Sequence, residues 1–293
     1  METYRLKSKL VENKKEYLIQ TSNDVNLSTV STHVFINGQP ANSATYPHHE
    51  GSSSEEILSL VEHRHSKMKV DVQTLLDARR RVLEEGDVSM MVHVGAQLFY
   101  SRFCYEAREL LMVAISLDPQ CHEAFNYLGM TELAMGNRRE AITASMNAVE
   151  ICPQYADYRN NLGETLLADE SCKRAIVEFR EAVRINLYYG DAYFNHGLAL
   201  LLNAIRREDT GLFQNVLSKS TECFRKAALI CPEYKTNAFE QGLDAISDSD
   251  LELAWKLLKV VRAEKKERHQ REAADIHRRV DISGEDVSEN AVA

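Results

Sequence analysis

The sequence predicts a mainly α-helical protein, an α-solenoid of four to five helical-hairpin repeats preceded by a small antiparallel β-hairpin or sheet and a linker helix. Three observations carry this. Gly95, Gly129, Gly163 and Gly197 stand 34 residues apart in the same apolar frame; with a period of this size, each unit is one supersecondary element that cannot bury its apolar face alone. Small residues follow at fixed offsets, Ala107, Ala141 and Ala175 and then Ala114, Ala148 and Ala182, where the two helices of a unit must approach closely. Near the other end, Val30, Thr32, Val34 and Ile36 alternate with Ser31, His33 and Phe35, and Asn37-Gly38 closes the run. That is the pattern of a half-buried strand entering a type I′ hairpin.

Taken in order, residues 1–50 read as a small β-rich module. Residues 16–22 and 29–36 are its strands, and Pro40 marks the return strand as an edge. Two or three strands are expected, too few to be stable without a helix or second subunit packed on them. Residues 51–87 read as linker and capping helix. Ser53 and Glu56 have capping-box spacing, an apolar pattern runs from Ile57 to Leu83, a break is conceivable near Val70-Asp71-Val72, and Gly86 ends the helix. Residues 88–265 hold the repeats, with helix stops at Pro119 and Pro153. In the fourth unit the expected small residue arrives 11 positions late, at Ala227, so longer helices meeting at a Glu208–Gly211 turn are expected. Gly242, Ala254 and Val261 keep the frame for a degenerate fifth unit. Residues 266–293 read as a charged helix end and tail.

These spacings resemble the tetratricopeptide-repeat (TPR) family over about residues 88–265. The resemblance implies a right-handed superhelix with a concave groove that binds protein or peptide, lined by the first helix of each unit. It places four residues of each unit in the groove, at positions six, three and two before the repeat glycine and one after it. The candidates are Ser89, Val92, His93 and Ala96; Glu123, Asn126, Tyr127 and Met130; Asp157, Asn160, Asn161 and Glu164; and Asp191, Phe194, Asn195 and Leu198. Tyr127, Met130, Phe194 and Leu198 are expected to supply apolar contact. Asn161 and Asn195 are expected to hold a peptide backbone, since an amide offers donors and an acceptor, and their loss is expected to leave folding intact. Glu123, Asp157 and Asp191 make an acidic row that either caps helix starts or recognises a ligand. The cations of a chaperone-tail dicarboxylate clamp are absent from these slots, so a neutral or basic peptide is the expected partner.

Composition narrows the classes further. A net charge of −9 disfavours nucleic acid. The charged start Met1–Lys9 and the lack of long apolar runs predict a cytoplasmic protein with no membrane span. The six cysteines have no CxxC spacing and read as reduced packing residues. His48-His49 and His63/His65 lack ligand partners at metal spacing, and no phosphate loop, GxSxG or HExxH occurs. Neither metal, cofactor nor enzymatic activity is expected. From Trp255 to Arg279 nine basic residues meet four acids, which reads as a solvated helix face beyond an apolar half, Leu251 to Val261, that seals the last repeat. A self-assembling structural protein, using the β edge and this helix, is the first alternative to a peptide-binding scaffold, and an enzyme regulatory subunit is the second.

Overall fold

The computed structural model describes residues 3–49, 51–206 and 213–279, with side chains given except at 213 and beyond 269. Packing divides the chain into two compact units, the first built on Met1–Leu110 and the second on Leu111–Ala273.

The first unit opens with a meander, β1 (Arg5–Glu12), β2 (Lys15–Asp24), β3 (Thr29–Ile36) and β4 (Gln39–Pro47), antiparallel in sequence order. The sheet thus has four strands where sequence reading expects two or three. The strand not anticipated is β1, an edge whose charged residues dilute the apolar alternation that identifies a strand. As expected, β4 is an edge, and its register slips opposite Val34/Phe35. Asn37 and Gly38 both have positive φ, 49° and 82°, the geometry that the Asn-Gly turn supplies cheaply. Asn37 Oδ1 also accepts a hydrogen bond from Glu16 N at 2.8 Å.

One face of the sheet is buried: Tyr17, Ile19, Thr21 and Asn23 of β2 lie opposite Ile36, Val34, Thr32 and Val30 of β3. α1 (Ser54–Glu85) packs on that face. It starts in the expected capping box, with Ser53 and Glu56 bonding reciprocally, and ends on left-handed Gly86. It runs unbroken through Val70-Asp71-Val72, because Ile57, Val61, His65, Met68, Val72 and Leu76 form one continuous buried stripe. His65 sits within the stripe between Ser8 Oγ at 2.8 Å and Thr21 Oγ1 at 3.0 Å. Burial, aided by Lys69, lowers its pKa.

α2 (Val88–Tyr100) and α3 (Cys104–Leu117) complete the first helical hairpin. The second unit continues with α4 (His122–Ala134), α5 (Arg138–Ile151), α6 (Ala156–Ala168), α7 (Cys172–Ile185), α8 (Gly190–Ile205), α9 (Phe213–Ile230), a 3₁₀ turn at Pro232–Tyr234, α10 (Asn237–Ser247) and α11 (Leu251–Arg279). The helices of the fourth repeat, α8 and α9, are longer than their predecessors; the expected Glu208–Gly211 turn between them lies outside the described residues. α4, α6 and α8 adjoin one another, and each also packs on its hairpin partner α5, α7 or α9. Ala141, Ala148, Ala175, Ala182 and Ala227 are all wholly buried at the close approaches.

The repeat glycines mark the same approaches. A Cβ on Gly163 would lie 2.5 Å from the Phe179 ring, and one on Gly197 2.8 Å from Phe224. Both rings are fully buried and have no room to retreat. Gly163→Ala should therefore destabilise the protein by about 1–3 kcal/mol through overpacking, even though alanine favours a helix by about 1 kcal/mol. Urea unfolding reads the difference, and a stabilised variant would show that the ring gives way.

Candidate functional site

The first helices of the repeats present a ladder of amides. Asn161 Nδ2 donates to Asn126 Oδ1 at 2.9 Å and approaches Met130 Sδ at 3.6 Å. One repeat later the arrangement recurs: Asn195 Nδ2 donates to Asn160 Oδ1 and to Glu164 Oε1, each at 2.9 Å. An Asn two residues before one repeat glycine thus reaches the positions three before and one after the preceding glycine. Both pairs are 35 residues apart in sequence, Asn126/Asn161 and Asn160/Asn195, because adjoining first helices are offset by one residue where these side chains meet. That spacing was the signal by which sequence reading could have paired them.

The ladder ends on α11. Arg262 Nε donates to Asn195 Oδ1 at 2.8 Å, and its Nη2 lies 2.8 Å from Glu164 Oε1. Lys266 pairs with the other Glu164 oxygen. Lys265 Nζ lies 2.9 Å from Asp191 Oδ1, which also accepts from Tyr234 Oη at 2.6 Å. The side chains of Arg262 and Lys265 are each 12% exposed, against 16% for Glu164.

Burial alone would raise the Glu164 carboxyl, but Lys266 and Arg262, with hydrogen bonds from Lys266 and Asn195, outweigh it and hold the pKa at about 2. Asp191 is lowered likewise, burial being opposed by Arg262 and by bonds from Tyr234 and Lys265. Burial, and next the charge of Asp157, which also accepts its hydroxyl, raise the Tyr189 pKa.

Several expectations are corrected here. Phe194 and Leu198 are core residues: Phe194 is wholly buried, stacked on Tyr234 at 4.2 Å between ring centroids. Their helix α8 is covered by the 3₁₀ turn, α10 and α11, which the repeat register alone does not place there. Asn195 is 3% exposed, and its donors and acceptor are spent within the protein, so it holds neighbouring helices, and its removal disturbs packing. Arg262 and Lys265 do not project into solvent, and Lys266, 39% exposed, still reaches Glu164. They continue the stripe of Ala254, Leu258 and Val261, since 254, 258, 261 and 265 fall on one helical face, and sequence reading missed them by dividing the helix where its polarity changes.

The remaining candidates differ in setting. Asn126 and Asn160 are buried within the ladder; Tyr127, Met130, Asn161 and Glu164 are partly exposed; Asp157 is exposed. Beside them stands an aromatic cluster that sequence reading did not identify. His122 Nδ1 lies 2.7 Å from Tyr158 Oη, and Tyr155, half exposed, stacks on Tyr158 at 4.9 Å. All six cysteines are free; burial pushes the Cys223 thiol up to about 12. No group of metal-ligating side chains occurs among the described residues, and no described helix is long and apolar enough to cross a membrane.

No protein-family profile and no curated protein matches the chain. Solved structures similar to it include MamA, 22% identical, with 56% of this chain and 91% of that one covered at a TM-score of 0.47. YrrB, described as a TPR protein with an unusual peptide-binding site, is 18% identical over 68% of this chain and 98% of its own, at 0.46. A thermophilic TPR protein of Thermus thermophilus, TTC0263, is 19% identical over 65% and 98%, also at 0.46. With helical hairpins recurring every 34 residues around close-approach glycines, the chain is similar in fold to tetratricopeptide-repeat proteins.

Proposed function

We propose that the protein is a non-enzymatic, cytoplasmic protein-interaction scaffold that holds a neutral or basic segment of a partner protein against its α4–α6–α8 face. The observation that carries this reading is the electrostatic pattern of the face. Glu123 and Asp157 lie along it, and Glu164 and Asp191 already hold basic side chains of a helix. Tyr127 and Met130 supply apolar surface beside them. A face that binds cations in cis has the charge to bind a basic segment in trans, and exposed rim acids act mainly on the rate of encounter.

The test is affinity capture by the full chain, with bound proteins identified by mass spectrometry, repeated with the Tyr127→Ala/Met130→Ala variant. A set of proteins retained by the wild type and lost from the folded variant is the expected result. Their capture should also weaken as salt rises. The same proteins retained by both would remove this face from the interaction.

A further inference from the structure

We infer that the partner segment is a basic amphipathic α-helix, and that the Arg262–Lys266 turn of α11 is an internal stand-in for it, which the partner displaces. This rests on the scaffold reading above and deepens it by assigning the ligand's shape and charge.

α11 is held in two different ways along its length. Ala254, Leu258 and Val261 are at most 2% exposed and join the core formed with α8, α9 and α10. Burial of apolar surface is favourable in itself and anchors this half. From Arg262 onward the contacts are polar and mainly ionic: Arg262 and Lys266 on Glu164, Arg262 on the Asn195 amide oxygen, and Lys265 on Asp191 and over the Tyr234 ring, with Arg262 Nη1 a further 3.8 Å from Asp191 Oδ2. Ion pairs that must be desolvated to form return most of their Coulomb energy as lost hydration. The apolar half is therefore fixed, and the basic turn is the part a competitor can lift.

The face reads this turn as a helix. Cations at 262, 265 and 266 occupy adjacent positions on one helical side, and their partners come from two different repeats, Glu164 of α6 and Asp191 with Asn195 of α8. An extended peptide, whose successive side chains point to opposite faces, would present every second residue and could not place three cations with this spacing on these acids. The bidentate reach of Arg262, Nε to the Asn195 amide and Nη2 to the Glu164 carboxylate, selects arginine at its position, since a lysine has one point of contact. The ligand pattern is Arg-x-x-Lys-Lys on one helical face, since the apolar stripe that precedes it in α11 keeps its own site.

A segment tethered in cis competes at high effective concentration, so its occupancy lowers the apparent affinity of any ligand in trans. The probe is a stapled helical peptide carrying residues 262–272, titrated against the full chain and against Arg262→Ala/Lys265→Ala/Lys266→Ala, whose apolar anchor is intact. The triple variant should bind the peptide about 10- to 100-fold more tightly than the wild type. Adding Glu164→Gln/Asp191→Asn should abolish the gain, as should a peptide with Glu at its three cation positions. Equal affinity for wild type and triple variant would overturn the stand-in. Absence of binding to a folded triple variant, with capture still lost on Tyr127→Ala/Met130→Ala, would overturn the basic helix and leave the scaffold reading standing. Should the triple variant fail to fold, hydrogen exchange of the wild type decides. Saturating peptide must speed exchange across residues 262–269, and unchanged protection there overturns the proposal.

Discussion

Replacing Phe194 by Ala should cost about 4 kcal/mol of folding stability, among the largest losses available to a single substitution in the second unit. The ring is wholly buried, and it meets Tyr234 at 4.2 Å, Phe224 at 5.0 Å and Phe239 at 6.3 Å between centroids. Truncation removes these contacts and leaves a cavity where α8, α9, the 3₁₀ turn and α10 converge, because packed helices relax only partly into the gap. Leu229, 75% exposed on α9, is the internal control, and Leu229→Ala should change stability by less than about 0.5 kcal/mol. Chemical denaturation of both variants checks the contrast. Were Phe194 a ligand contact, as its repeat register suggests, Ala would leave the unfolding midpoint nearly unchanged and weaken binding instead.

The second large effect is expected in acid. The Glu164 carboxyl is held at about 2 in the folded protein against an ordinary value of 4.5. A carboxyl whose folded pKa is depressed contributes stability that is present above its unfolded pKa and is lost as pH falls through the folded one. The window is therefore from about pH 5 down to about pH 2. Wild-type stability should drop there by up to about 3 kcal/mol more than that of Glu164→Gln, at about 1.36 kcal/mol for each pKa unit. Asp191, shifted in the same direction, is present in both proteins and cancels in the comparison. The contribution is an upper figure because the basic turn can lift away and expose the carboxylate to water. Parallel stability curves for the two proteins would show that Arg262 and Lys266 do not hold this carboxyl as the geometry indicates. The variant itself should be less stable than wild type near neutral pH, since Arg262 and Lys266 lose their charged partner.

By itself, the sequence determined the repeat. Gly129, Gly163 and Gly197, with the alanines twelve and nineteen residues beyond the first two of them, lie at close helix approaches because one local unit recurs, and each recurrence restates the same steric demand. The Asn37-Gly38 turn and the Ser53/Glu56 capping box were equally legible, since both are closed by local backbone geometry. Edge strand β1 was not, because a strand paired on one side tolerates charge that masks its alternation. Only the tertiary structure decided what the candidate site does. Sequence register put Asn195, Asp191 and Glu164 on one face, but a carboxylate carries no record of which cation will meet it. Arg262, Lys265 and Lys266 stand 67 to 102 residues away along the chain, and no local period links them to α6 and α8. Their partnership follows from where the fifth hairpin turns α11 back across the repeats, and that path is set by long-range packing of Leu258 and Val261 on α8, α9 and α10.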